Sequence, residues 1–344
     1  MIAPPTIEGR LPWVDYAKSL AMLMVVIIHV HITEGISKTL SAMIMPMFFM
    51  ISGYLFDYNR NPRFKPFAWK RTRQILIPYL FLNVLMLGVW VIMQKWYPEV
   101  YSTDSDAWSL SKAIGLARSP RLIHDIPLWA LFCLYGVELV FYPLGRKMWS
   151  TLTVAAVALG VSAAMFYAIP TRMSDIPLSV GQIITALPFY ALGHAYRRGD
   201  KKERISRYVF SLPATLIYII VFALTAHYNE YVSFRLCRFG SYPLFFLSSM
   251  SGSLAAIALM RYLAQAIGSN SIIRYISDIT LLICGLHILV FIIIKATFYL
   301  GFGINEETIT KGWPGVAFTI AAFAITVYPI SWIIYRYFRS LIGK

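Results

Sequence analysis

The chain has 344 residues, of which 58% are hydrophobic and only 14% are charged, and its formal net charge is +15. Soluble domains are nearer one-quarter charged and under half apolar, so this composition excludes a water-soluble enzyme of compact domains. In a soluble protein the positive charge would indicate nucleic acid, but in a membrane protein it has a topological explanation. We therefore expect a polytopic membrane protein, with residues 1–344 forming a single domain, membrane lipids around it and no nucleic-acid partner.

Ten apolar windows follow one another along the chain, each close to the roughly 20 residues that a helix needs to cross a bilayer. They fall at about 13–33, 39–57, 75–97, 127–145, 150–169, 180–196, 208–227, 241–262, 278–300 and 313–335. No small-residue cleavage site follows the first window, so we expect a retained helix rather than a signal peptide. The pattern predicts an all-α protein with about ten transmembrane helices.

The Lys and Arg residues between these windows alternate in density. With the N-terminus inside, the inside segments carry more than twice as many as the outside segments. This is the distribution that the positive-inside rule describes. The sequence therefore predicts that both termini, N and C, are cytoplasmic.

The three cysteines are Cys133, Cys237 and Cys284, and they are isolated from one another in the sequence. There is no CxxC pair and no histidine at metal-ligand spacing. We expect neither a disulfide framework nor a metal site.

The first window carries Asp15, Lys18 and His29 on one helical face. Lys18 and His29 stand about 16 Å apart along such a helix, so these two side chains cannot touch. We expect Lys18 to pair with Asp15 one turn earlier and His29 to lie within the hydrocarbon. A histidine there can act as a general base near neutral pH, and hydrogen bonding to a neighbouring helix is the alternative that the residues leave open.

Further ionisable residues lie inside later windows or at their ends. Glu138 in the fourth window and His287 in the ninth have no easy route to water, and such residues are functional candidates. Asp278 opens the ninth window. Lys295 can snorkel to the interface, and His194 beside two arginines is expected to be interfacial.

A basic segment that is rich in aromatic residues leads into the third window, between Phe64 and Tyr79. Its charged members after the first turn are Lys70, Arg71 and Arg73. Positive charge at a membrane face suits a phosphorylated ligand reached from the cytosol, because guanidinium forks match phosphate oxygens. Anionic lipid head groups would be bound by the same arrangement, and the residue types do not separate the two.

Three segments carry a resemblance to a known family. Asp15 to His29 is similar to an opening signature of a basic residue, ten apolar positions and a histidine, although many members have arginine where this chain has Lys18. Met45 to Leu55 is close to a PLFF-ISGYL segment, and Lys70 to Tyr79 is similar to R-x-x-R-x-L-x-P-Y. Together they resemble the acyltransferase-3 family, integral-membrane enzymes that O-acylate sugars, in its short stand-alone form.

The resemblance implies transfer of an acyl group, most often acetyl, from cytosolic acyl-CoA to a hydroxyl of a surface glycan or lipid-linked sugar. His29 would be the general base or, in a second version, the site of a transient acyl-imidazole, and Lys70, Arg71 and Arg73 would hold the CoA phosphates. Donor or substrate would be positioned by Asp15, Lys18, Ser52, Trp129, Glu138 and His287. Acetyl-CoA would be a co-substrate with no permanently bound cofactor, and the location would be the bacterial inner membrane.

The Ser52-Gly53 step is expected to let the second helix approach the first closely. Whether the chain forms a homodimer is left open by the sequence.

The alternative function is a transporter or flippase for a lipid-linked saccharide, in which the buried charges mark a permeation path. A transporter would move its substrate with no acyl donor, whereas a transferase would consume acetyl-CoA.

Overall fold

A computed structural model describes residues 10–30, 32–96, 126–170, 172–199 and 202–337. These residues are almost wholly helical and contain no strand, apart from an isolated bridge between Ser233 and Arg238. The helices in chain order are α1 (Pro12–Val30), α2 (Glu34–Leu55), α3 (Phe64–Arg71), α4 (Ile77–Trp96), α5 (Trp129–Leu144), α6 (Met148–Ala168), α7 (Val180–Arg198), α8 (Lys202–Val209), α9 (Leu212–Tyr228), α10 (Tyr242–Ile267), α11 (Ser271–Asp278), α12 (Thr280–Phe302), α13 (Glu306–Thr310), α14 (Gly312–Ile325) and α15 (Ser331–Tyr337).

Each of the ten predicted windows overlaps one of these helices. Within the described ranges, seven helical segments are long and apolar enough to cross a membrane, and α5 and α9 are shorter apolar helices. The remaining window corresponds to α7, which has 19 residues. The chain is therefore an all-α polytopic membrane protein, as predicted, while the number of crossings and their orientation stay predictions.

Two of the long spans contain a π-helical turn, and the second span is also kinked at Tyr328, where φ is −153° and ψ is 119°. The π-helical turn Thr72–Leu76 joins α3 to α4, and a second one, Thr326–Ile330, joins α14 to α15. A π turn adds a residue to the helical repeat and often lies at functional sites. The first of them lies within the predicted basic segment and contains Arg73.

The first helix lies inside the bundle, packed against α2, α10, α11, α12 and α14. Small residues allow this, since Ala17 and Ala21 are completely buried. The helix ends at Val30, and α2 starts at once because the Thr33 hydroxyl caps it by accepting a hydrogen bond from the Ile36 amide. The predicted window had extended α1 to residue 33.

The second helix makes its closest approach to α7, not to α1 as expected from the Ser52-Gly53 step. A Cβ added at Gly53 would collide with the carbonyl oxygen of Tyr190, and one added at Gly193 would collide with that of Met50. The two glycines thus bring two helix backbones into direct contact. Helix crossings of this kind are driven by van der Waals packing of small residues.

Replacing Gly53 by alanine is expected to destabilise the protein by about 1–3 kcal/mol or more, because the helices must separate to admit the methyl group. Accumulation in the membrane and thermal unfolding in detergent measure the effect. Gly35→Ala in the same helix is the matched control, since nothing lies within 4 Å of its Cβ position. Equal stability of the two variants would contradict the close crossing.

Candidate functional site

Two predicted site residues meet between α1 and α12. The ring centroids of His29 and His287 are 5.1 Å apart, with an angle of 58° between the ring planes. His287 is 0% exposed, whereas His29 is partly exposed. The structure therefore forms a histidine pair with one fully buried member and one partly exposed member.

Both histidines are oriented by hydrogen bonds to their own helices. Nδ1 of His29 lies 2.7 Å from the Val25 carbonyl oxygen, and Nδ1 of His287 lies 2.8 Å from that of Ile283. A carbonyl oxygen only accepts, so each Nδ1 carries the hydrogen and the lone pair of the neutral ring is on Nε2. The Nε2 atom of His287 has no hydrogen-bond partner among the described residues.

The histidine pair lies between the start of α12 and the charged side chain of Lys295. At about 1.5 Å per residue, His287 is about 10 Å from Thr280 at the start of the helix and about 12 Å from Lys295. Lys295 forms an ion pair with Glu306. Chemistry at the pair would therefore take place in surroundings of low polarity.

A cluster of charged residues joins the start of α1 to the α11–α12 junction. Arg10 donates to both carboxylate oxygens of Asp15, at 2.8 and 2.9 Å, and to Asp278 at 3.0 Å. Lys18 donates from Nζ to the Ser277 carbonyl oxygen at 2.7 Å. Asp15 forms its ion pair with Arg10, whereas the sequence predicted an ion pair with Lys18. Arg10 was not a predicted site residue because it precedes the helix in a polar lead.

Arg71 and Glu138 form a two-point ion pair between α3 and α5. Nη2 of Arg71 donates to Oε1 at 2.8 Å, and Nε lies 2.6 Å from Oε2. Nη1 of Arg71 donates to Gln74 at 2.9 Å. The Glu138 side chain is only 2% exposed and that of Arg71 is 25% exposed. All three guanidinium nitrogens of Arg71 are therefore in contact with protein acceptors.

The other two basic residues of the predicted phosphate site face outward. Lys70 and Arg73 are both exposed, and the Lys70 ammonium lies 3.5 Å from the side-chain oxygen of Asn61. The Lys70 donor therefore lies beside the loop that joins α2 to α3. Of the three residues, these two can reach an external anion without breaking a buried ion pair.

Ser52 and Trp129 lie within α2 and at the start of α5. Ser52 is half-buried beside Gly53 in α2, and Trp129 is buried and stacks on Phe234 at 6.0 Å between centroids. The start of α5 lies close to the histidine pair, because Cys284 donates to the Pro127 carbonyl oxygen at 3.7 Å. Cys284 is one helical turn before His287.

The described residues contain no group of three or more His, Cys, Asp or Glu side chains that could hold a metal ion. The fold and the site define a class: a multi-pass membrane protein with a pair of neighbouring histidines within its bundle. A family model described as an acyltransferase domain matches residues 11–336. The match covers nearly the whole chain, so the protein belongs to the acyltransferase-3 family and is a membrane acyltransferase. No curated protein and no solved structure matches the chain.

Proposed function

We propose that the protein is an O-acyltransferase that moves an acyl group, acetyl in the first instance, from cytosolic acyl-CoA to a saccharide hydroxyl. The acceptor would be a cell-surface glycan or a lipid-linked sugar precursor at the bacterial inner membrane. The observation that supports this best is the pair of His29 and His287 inside a chain of this family. A partly accessible histidine whose tautomer is held by a backbone carbonyl is suited to general-base catalysis.

In the proposed reaction, Nε2 of His29 removes the proton of the acceptor hydroxyl while its oxygen attacks the thioester carbonyl carbon. The carbon–sulfur bond then breaks, the acyl group stays on the acceptor oxygen, and the CoA thiolate leaves. His29 returns the proton to the sulfur, which gives the CoA thiol. The Val25 carbonyl, 2.7 Å from Nδ1, stabilises the imidazolium that exists between these steps.

His287 is proposed as a positioning residue. Its ring packs on that of His29 and is itself held by Ile283 and by an edge-to-face contact with Phe291 at 5.5 Å. These contacts restrict the direction in which His29 presents Nε2. Asp15, Lys18 and Arg10 would hold the start of α1 against the end of α11, next to the start of α12.

The donor phosphates are proposed to lie at Lys70 and Arg73, with Arg71 anchoring this segment to α5 through Glu138. Replacing Arg73 by alanine is expected to raise KM for acetyl-CoA about tenfold or more, since a charge-assisted hydrogen bond is worth roughly 1.5–3 kcal/mol, and to leave kcat near its original value. Steady-state kinetics in membrane vesicles measure both. Lys65→Ala is the control, as an exposed lysine of the same segment; an unchanged KM in Arg73→Ala would contradict the phosphate role.

The proposed donor side requires the predicted orientation. A reporter fused after Lys202 should report the cytoplasm, and a reporter placed within 104–120, which lies outside the described residues, should report the exterior. Swapped signals would place Lys70 and Arg73 on the wrong side for cytosolic acyl-CoA.

The experiment that tests the function compares the surface glycans of cells with and without the gene by mass spectrometry. We expect a mass difference of one acyl group per modified sugar, and transfer of label from acetyl-labelled acetyl-CoA in isolated membranes. Movement of a lipid-linked saccharide across the membrane with no acyl donor, and with no consumption of acetyl-CoA, would contradict the proposal and favour a transporter.

A further inference from the structure

Trp69 presents a large aromatic surface that the site described above does not use. The residue is 63% exposed, although it lies in the same helix, α3, as Lys70 and Arg71. Burying a large aromatic side chain removes about 150–250 Å² from water and is a main source of packing energy. The helix therefore leaves this side chain available for contact with a ligand.

The packing of α3 fixes the direction of the Trp69 side chain. Phe67 is 1% exposed and stacks on Tyr142 at 4.8 Å between ring centroids. Arg71 is anchored by its ion pair with Glu138. Two residues along an α-helix rotate a side chain by about 200°, so Trp69 lies on the opposite side of α3 from both Phe67 and Arg71. Its face of the helix is therefore turned away from the bundle and held there by the contacts of the other face.

Helix α3 extends beyond the hydrocarbon layer of the membrane. The helical span Phe64–Met93 has 30 residues and is about 45 Å long at about 1.5 Å per residue, whereas the hydrocarbon is about 30 Å thick. The apolar window predicted for this span begins at residue 75, which is roughly 8–9 Å along the helix from Trp69. A head-group layer is about 5–8 Å thick, so Trp69 lies at its outer edge, where a water-soluble ligand can reach it.

Two cations accompany the indole on this exposed part of the chain. Lys70 follows Trp69 directly and Arg73 follows one helical turn later, and both are exposed. Among the described residues, the Trp69 ring makes no ring contact and the Arg73 guanidinium forms no ion pair. Residues four apart share a helical face, and these two are about 6 Å apart along the axis. An aromatic surface and a free guanidinium at this spacing fit a ligand that joins an aromatic ring to a phosphate.

Acyl-CoA is a ligand of this kind, because a single ribose separates its adenine from its diphosphate. We propose that Trp69 stacks on the adenine of the acyl donor while Lys70 and Arg73 bind the adjoining diphosphate. The inference rests on the proposed function, which supplies acyl-CoA as the ligand. It assigns Trp69 a role in specificity: a donor with the acyl group on phosphopantetheine alone lacks the base and gains nothing from the indole.

Calorimetry of the full chain in detergent tests the proposal, with unacylated coenzyme A and with 4′-phosphopantetheine, which lacks the nucleotide. We expect Trp69→Ala to weaken coenzyme A binding at least about fivefold, as the loss of a base–aromatic stack does. Trp69→Phe keeps a ring and should lose less. Phosphopantetheine should bind the unaltered protein and Trp69→Ala equally. Trp149→Ala removes another exposed tryptophan, 83% exposed at the start of α6, and should bind coenzyme A as the unaltered protein does.

Four results would overturn the proposal in distinguishable ways. Equal affinity of the unaltered protein and Trp69→Ala for coenzyme A, with weaker binding by Arg73→Ala, would remove the stacking and leave the proposed function standing. No coenzyme A binding by the unaltered protein would remove the donor itself. An equal loss of phosphopantetheine and coenzyme A affinity in Trp69→Ala would show that the indole acts on another part of the ligand.

The fourth result concerns the membrane. In nanodiscs, the emission of Trp69 is the difference between the spectra of the unaltered protein and Trp69→Phe. Quenching of this emission by lipids with brominated acyl chains, and not by coenzyme A, would place the indole among lipids and contradict the proposal. Because Trp69 is exposed, its variants are expected to fold and accumulate as the unaltered protein does.

Discussion

Replacing His29 by alanine is expected to abolish acyl transfer while the protein still inserts and accumulates. The loss should be at least about 10²–10⁴-fold, the usual contribution of a positioned general base. His29 is partly exposed at the last turn of α1, so the truncation leaves no large sealed void in the core. Transfer of labelled acetyl groups in membrane vesicles, normalised to the amount of protein, measures the effect.

Two further variants make this test specific. His227→Ala removes an exposed histidine at the end of α9 and should leave transfer unchanged. His287→Phe keeps a ring of similar shape against His29 and should lower kcat less than His29→Ala does, because it removes a support and not the base. Full activity of His29→Ala would contradict the proposed chemistry, and so would loss of activity in His227→Ala.

Replacing Arg71 by alanine is expected to destabilise the protein by about 3–5 kcal/mol, the usual cost of leaving a buried charge without its partner. The Glu138 carboxylate is 2% exposed and takes its two closest ionic contacts from this guanidinium. The double variant Arg71→Met with Glu138→Leu should recover most of that loss, since apolar side chains of similar volume replace both charges. Thermal unfolding in detergent of the unaltered protein, Arg71→Met, Glu138→Leu and the double variant measures the coupling.

Kinetics on the same proteins decide what Arg71 contributes to the donor site. If Arg71 anchors α3 to α5, the stable double variant should keep a KM for acetyl-CoA within about threefold of the original, less than the rise expected for a lost phosphate contact. A large rise in KM for Arg71→Ala with no loss of stability would instead make Arg71 a phosphate ligand and contradict the anchoring role.

The transmembrane helices and the family could be predicted from the sequence, because apolar windows and short motifs are local properties of the chain. Window length alone places ten helices, and the structure has a helix at each of them. Residue spacing also places His29 near the end of the first helix, and the structure has it in the last turn of α1. Its contact with His287 could not be predicted in this way, because hydropathy carries no information on which helices are neighbours in the bundle.

The partner of Glu138 shows a second limit of sequence reasoning. The sequence marks Glu138 as costly in a membrane and Arg71 as a phosphate candidate, and both descriptions are chemically sound. An arginine at a membrane face suits a carboxylate as well as a phosphate, so only the packing of α3 against α5 decides between them. Gly53 is similar: its lack of a side chain predicts a close crossing, but the identity of the other helix depends on the three-dimensional arrangement.

The hydrogen bonds from the two histidines to Val25 and Ile283 have a consequence for motion in the bundle. Each ring is tethered to the helix that carries it, so the tautomer of neither ring depends on the other helix. If α1 and α12 separate to admit a sugar chain, both rings keep the hydrogen on Nδ1 and the lone pair on Nε2. Opening the seam for a bulky acceptor therefore leaves the tautomer of the base unchanged.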